Sequence, residues 1–155
     1  MRKKFLSMLL MIVVCLTGIS GMTLSVNAEE GENIDYSYLL TDEALVGYAE
    51  MQTWGIYLSS GNSVINKISS TKIGAGGVTS AARTCKVSIT SIVERQTNTG
   101  WAYVTAWTQT NENAYSAMIS KSLTVNTGYY YRVRSSHYAS TDYSSSWTDA
   151  LWMGN

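Results

Sequence analysis

The chain has 155 residues, no proline, two cysteines and 11 basic against 11 acidic side chains, with 45% hydrophobic and 14% charged residues. A balanced charge lacks the clustered Lys/Arg excess of a nucleic-acid footprint, and two cysteines are too few for a disulfide-built module. The apolar share is that of a globular chain rather than a disordered one, and the length fits one domain.

Arg2, Lys3 and Lys4 precede an almost wholly apolar run from Phe5 to Leu16, and a small, mixed stretch ends at Val26-Asn27-Ala28. This order of basic start, apolar core and small-residue exit reads as a secretory signal peptide, 1–28, cleaved after Ala28, and predicts an extracellular protein. The apolar core is about a dozen residues, short of the roughly 20 that span a bilayer, so no stable membrane span is predicted for the mature chain. Beyond Ala28 the charge becomes 8 basic against 11 acidic, Cys85 is the only thiol, and Phe5, the sole phenylalanine, is gone. Aromatic burial then rests on Trp and Tyr.

Residues 29–50 form an acidic leader with seven acids and no Lys or Arg. Within it Thr41-Asp42-Glu43 offers a cap and two acids to the positive end of a short helix predicted to run to Tyr48. From Met51 onward the balance turns to 8 basic against 4 acidic, and Ser, Thr, β-branched and aromatic residues dominate. Strands are predicted at Gln52–Ser59, Ser63–Ser69, Val78–Thr84, Lys86–Arg95, Trp101–Thr110, Ser116–Val125, Tyr129–His137 and Trp147–Met153. The breaks between them are Ser60-Gly61-Asn62, Gly74-Ala75-Gly76-Gly77, Asn98-Thr99-Gly100, Asn111-Glu112-Asn113 and Asn126-Thr127-Gly128. Short, evenly spaced strands with such turns predict an all-β domain over 51–155, an immunoglobulin-like or fibronectin III-like antiparallel sandwich of seven to eight strands.

Val87, Ile89, Ser91 and Val93 alternate with Ser88, Thr90 and Glu94, which predicts one inward face. Tyr131 and Val133, with Tyr129, define another and leave Tyr130, Arg132 and Arg134 outward. Trp101, Val104 and Trp107 fit no single face at period two, so a bulge or two-sided burial is required there.

The run Leu123-x-Val125-x-Thr127-x-Tyr129, followed by Tyr131 and Val133, resembles the corner that enters strand F of fibronectin type III domains. The resemblance implies structural roles for Leu123 and Thr127, and a Tyr129 hydroxyl tied to upstream backbone. A second resemblance spans most of the chain. Lys72-Ile73-Gly74-Ala75-Gly76-Gly77, Val93-Glu94-Arg95, Gly128-Tyr129-Tyr130-Tyr131-Arg132-Val133-Arg134, His137 and Leu151-Trp152 are together similar to a family of small secreted proteins of Gram-positive, clostridia-like bacteria, a domain of unknown function. It implies export and a single β domain, and carries no catalytic residues.

Residue chemistry argues against catalysis. His137 is the only histidine. A Cys85–His137 pair, or a serine triad using His137 with Asp142 or Asp149, lacks any nucleophile motif. Glu94, Glu112, Asp142 and Asp149 sit among turn and strand-face residues, not as a spaced carboxylate pair. The glycine run lacks the Gly-Lys-Ser/Thr ending of a phosphate loop and reads as a tight turn. No metal or cofactor site is predicted. Two binding ideas remain. Tyr130, Arg132 and Arg134 on one strand face suit a carboxylate, phosphate or sugar acid, unless Glu94 pairs with one arginine across the strands. Trp107, with Trp101, Trp147 and Trp152, suits sugar rings, although at least two Trp must fill the core. The resulting expectation is a secreted, non-catalytic binding module for a cell-surface glycan or a protein partner. A membrane-active, toxin-like β protein built on the Val87–Thr110 hairpin and a hydrolase with an unrecognised site are the alternatives. Oligomeric state is left open by the sequence.

Overall fold

The computed structural model describes residues 43–49 and 55–154, so the predicted signal peptide and most of the acidic leader lie outside the described residues. Seven strands follow in chain order: β1 (Leu45–Tyr48), β2 (Leu58–Ser69), β3 (Lys72–Thr97), β4 (Gly100–Thr124), β5 (Tyr129–Ala139), β6 (Asp142–Trp147) and β7 (Leu151–Met153). The all-β expectation holds. All pairings are antiparallel, in one sheet of order β1-β2-β3-β5-β6, with β4 added to β3 and β7 to β5. The two separate sheets of an immunoglobulin-like sandwich are not what connects the strands, because β3 and β4 run unbroken through both halves of this single sheet.

The long strand β3 organises the domain. Its first half pairs with β2 and its second half with β5, while β4 follows the opposite edge. Between the halves, the register with β4 shifts from Ser80 to Cys85 and again to Val87. The sheet as a whole is nearly barrel-shaped. The far strands approach closely, for a Cβ on Gly47 of β1 would collide with the Trp147 carbonyl at the end of β6.

Several local expectations change. Leu45–Tyr48, expected as helix, is a strand that pairs with Val64 and its neighbours, so tertiary pairing overrides the helix-start signal. Gly74-Ala75-Gly76-Gly77 is not a turn but the middle of the β2–β3–β4 ladder. A Cβ on Gly76 would collide with the Ile119 carbonyl oxygen, so glycine here permits close backbone approach within a strand. Ser60-Gly61-Asn62 and Asn111-Glu112-Asn113 likewise lie inside β2 and β4. Asp142–Trp147 forms β6, although the sequence reading began its last strand only at Trp147. The Asn98-Thr99-Gly100 hairpin is as expected, with Gly100 at φ 135°. The misfit at Trp101, Val104 and Trp107 is a bulge: Val93 faces Thr105, Glu94 faces Tyr103, and Val104 is the extra residue.

Inside, two apolar clusters are separated by a polar layer. One holds Ile65, Ile73, Ala75, Val93, Tyr131, Val133 and Met153, the other Leu58, Ala81, Val87, Ile89, Ile119 and Ala139. Between them, on the same inward faces, lie Ser63, Thr79, Ser91, Ser135 and His137, all fully buried. The Val87-x-Ile89-x-Ser91-x-Val93 face is inward as read from its alternation, and Trp107 packs against both clusters.

Candidate functional site

His137 is the first candidate to place, since both nucleophile readings of the sequence, the Cys85 pair and the serine triad, depend on it. Its Nε2 lies 2.8 Å from the Ser146 hydroxyl and its Nδ1 2.8 Å from the Thr79 hydroxyl. Thr79 also donates to the Ser88 carbonyl, and the Ser63 and Ser146 hydroxyls are 2.7 Å apart. The chain is satisfied when Ser146 donates to Nε2, Nδ1–H to Thr79 and Thr79 to the Ser88 carbonyl, with Ser63 donating to the Ser146 hydroxyl or, at 3.2 Å, to its carbonyl. That arrangement requires a neutral imidazole, and burial lowers the His137 pKa to about 4. A hydroxyl stands where a triad would place its carboxylate, and the ring is fully buried. Asp142 instead accepts from the Tyr57 and Leu58 amides, which hold its carboxyl below the usual range. Cys85 packs against the second apolar cluster. Neither joins the histidine, so this layer reads as structure.

The outward face of β5 is different. Tyr130, Arg132 and Arg134 share it, as their alternation required. Glu94 of β3 stands opposite Arg132 and engages both arginines: Arg132 Nε donates to Oε2 at 2.8 Å and Arg134 Nε donates to Oε1 at 3.3 Å. The sequence reading allowed Glu94 one arginine; the carboxylate bridges two. Arg132 is further held with its guanidinium 4.2 Å from the ring centre of Trp101. The arginines are thus partnered within the sheet, and two cations share one anion. Arg134 is the looser of the two, with 44% of its side chain exposed beside Trp147 in the adjoining strand.

At the end of this face the strands leave an open cleft of about 380 Å³ lined by Gln96, Thr97, Asn98, Gly128, Tyr129, Tyr130 and Trp152. Trp152 lies opposite Tyr130 in the β5–β7 ladder, their ring centres 4.8 Å apart and planes inclined by 48°. Both rings are about half exposed, at 42% and 48%. The β3–β4 hairpin contributes Gln96, Thr97 and Asn98 to the lining, and the Thr97 hydroxyl donates to the Gly100 carbonyl at 3.0 Å within the turn. Arg95 lies over the Tyr129 ring at 4.5 Å. Tyr103 and Trp147 extend the exposed aromatic surface farther along the sheet.

Of the sequence-predicted residues, Tyr130 belongs to this cleft, Arg132 and Arg134 follow it on the same face of β5 but do not line it, and Trp107 packs against the core. The predicted corner is corrected by one alternation. The tyrosine that ties back is Tyr131, whose hydroxyl donates to the Asn126 carbonyl at 2.9 Å, while Tyr129 lines the cleft. Tyr131 is the inward residue, and burial raises its hydroxyl pKa. Leu123 packs against the first cluster, and Thr127 is exposed. Sequence reasoning missed Gln96, Thr97 and Asn98 as lining residues, and only their place in a hairpin turn beside an aromatic strand would have pointed to them. Among the described residues, no His, Cys, Asp and Glu side chains gather to hold a metal, and no helix is long and apolar enough to cross a membrane. Comparison with protein-family models, curated proteins and solved structures yields no match to this chain.

Proposed function

We propose that this chain is a secreted, non-catalytic binding module that takes a cell-surface glycan at the Tyr130–Trp152 end of its outward β5 face. The observation that carries the reading is the inclined, half-exposed Tyr130–Trp152 pair on the wall of a cleft that Gln96, Thr97 and Asn98 also line. Aromatic rings offer apolar area with little conformational freedom to lose, and the amides match the donors and acceptors of sugar hydroxyls. The Tyr131 hydroxyl, bonded to the Asn126 carbonyl, anchors the start of the strand that brings Tyr129 and Tyr130 to the cleft.

The test is titration of the full chain with a panel of soluble cell-wall and capsular oligosaccharides, followed by calorimetry and by tryptophan fluorescence. At least one oligosaccharide should bind. Trp152→Ala and Tyr130→Ala should each weaken it about tenfold, a loss of about 1.4 kcal/mol. Tyr143→Ala, an exposed ring elsewhere on the sheet, should leave it unchanged. Wild-type affinity that survives both cleft substitutions would remove the assignment.

A further inference from the structure

A different feature points to a partner. Among the described residues β4 pairs with β3 alone, leaving the other edge of a strand that spans Gly100–Thr124 without a neighbour. Proteins usually guard such an edge with charges, proline or bulges, because its free N–H and C=O groups accept another strand. From Gly100 to Asn111 this edge has no Lys, Arg, Asp, Glu or Pro. The register against β3 is unbroken from Thr105, opposite Val93, to Asn111, opposite Val87. The Val104 bulge closes that stretch on one side. On the other, the register shifts after Asn111, and Asn113 has φ 48°.

We infer that this edge is an interface between two copies of the chain, which pair antiparallel through β4 over Thr105–Asn111 about a two-fold axis at Thr108. The argument is one of register. A two-fold axis normal to the sheet sets the same surface of both copies against itself. Residues directly opposite must also lie on the same face, so the axis has to pass through a residue and not between two. Thr108 is the centre of the regular stretch and the only choice that uses all of it. Thr108 then meets its own copy, Trp107 meets Gln109, Ala106 meets Thr110, and Thr105 meets Asn111. No pair is charged, and the next residues outward set Glu112 against Val104, with no like-charge contact. Seven residues at about 3.3 Å each give roughly 23 Å of added ladder. The proposal is independent of the glycan reading, because Thr108 lies on β4 and contributes nothing to the cleft.

The experiment uses the full chain with Cys15→Ser and Cys85→Ser. Light scattering across a concentration series should show a monomer–dimer equilibrium. Thr108→Lys places two ammonium groups face to face at the axis and should leave only monomer. Thr108 is exposed, so the far-ultraviolet dichroism of that variant should match the parent. Thr108→Cys should cross-link under mild oxidation, since directly opposed Cα atoms stand about 4.5–5.5 Å apart, within disulfide range. Thr110→Cys should not, because its own copy would be about 14 Å away along the ladder. A chain that is monomeric at every concentration overturns the proposal, whatever other protein its edge then binds. So does a dimer that Thr108→Lys leaves intact, or equal cross-linking at the two positions.

Discussion

His137 makes the stability of this fold depend on pH in a window that can be specified in advance. The imidazole is fully buried, and the atoms that meet its nitrogens are the neutral hydroxyls of Thr79 and Ser146. Desolvation therefore acts without an opposing charge, and the pKa falls from 6.5 to about 4. The unfolded chain takes up a proton near pH 6.5, whereas the folded chain resists it until about pH 4. Stability from this group is complete above pH 6.5, declines as pH falls, and levels off below about pH 4. At about 1.36 kcal/mol per pH unit the total is roughly 3 kcal/mol, a large share of the 5–15 kcal/mol typical of a domain. Urea unfolding of wild type and His137→Gln between pH 8 and pH 4 isolates the effect, because carboxylate titrations common to both cancel in the difference. That difference should shrink by roughly 3 kcal/mol on acidification. As the chain has one histidine, its ring proton resonance also reports the pKa directly by NMR. A midpoint near 6.5, or parallel stability curves, would refute the burial argument.

Two further substitutions test other parts of the account by urea unfolding. Tyr131→Phe removes the hydroxyl that ties to Asn126 and should cost about 1 kcal/mol, while Tyr129→Phe should cost nothing measurable; the reverse order would restore the corner as first read from the sequence. Glu94→Gln leaves Arg132 and Arg134 adjacent without their shared anion, and the nearly buried position should make the loss about 2 kcal/mol. A neutral result there would mean the bridge is solvated in solution.

What the sequence made legible is tied to alternation. Val87–Val93 and, on β5, Tyr131 and Val133 follow period two and are buried accordingly, whereas Tyr129, read onto the same inward face, is exposed at the strand's start. Tyr130, Arg132 and Arg134 were placed on one face by the same rule. Failure came where a local signal has a nonlocal cause. The glycine run reads as a turn by composition, yet Gly76 is small because the Ile119 backbone passes beside it. Thr84-Cys85-Lys86 and Asn111-Glu112-Asn113 each look like the end of a strand. In the folded chain they oppose one another, Cys85 facing Ala114, so two apparent breaks are one irregularity in a continuous hairpin. β6 was missed because its inward residues, Ser144 and Ser146, are polar and show no hydrophobic alternation.

Those serines also explain how a domain with no disulfide among its described residues fixes its register. The apolar clusters alone are less selective among partners, since their contacts are non-directional and Val and Ile substitute for one another with modest cost. The chain from Ser63 through Ser146, His137 and Thr79 to the Ser88 carbonyl does not. It draws one member or more from β2, β6, β5 and β3, and so crosses from one half of the sheet to the other. A slip of one residue in any of these strands turns its member to the opposite face and leaves a buried hydroxyl or ring nitrogen unpaired, at about 1–3 kcal/mol each. The polar layer therefore selects among registers that the apolar clusters would accept. It also makes the one histidine part of the frame that presents the outer face of β5.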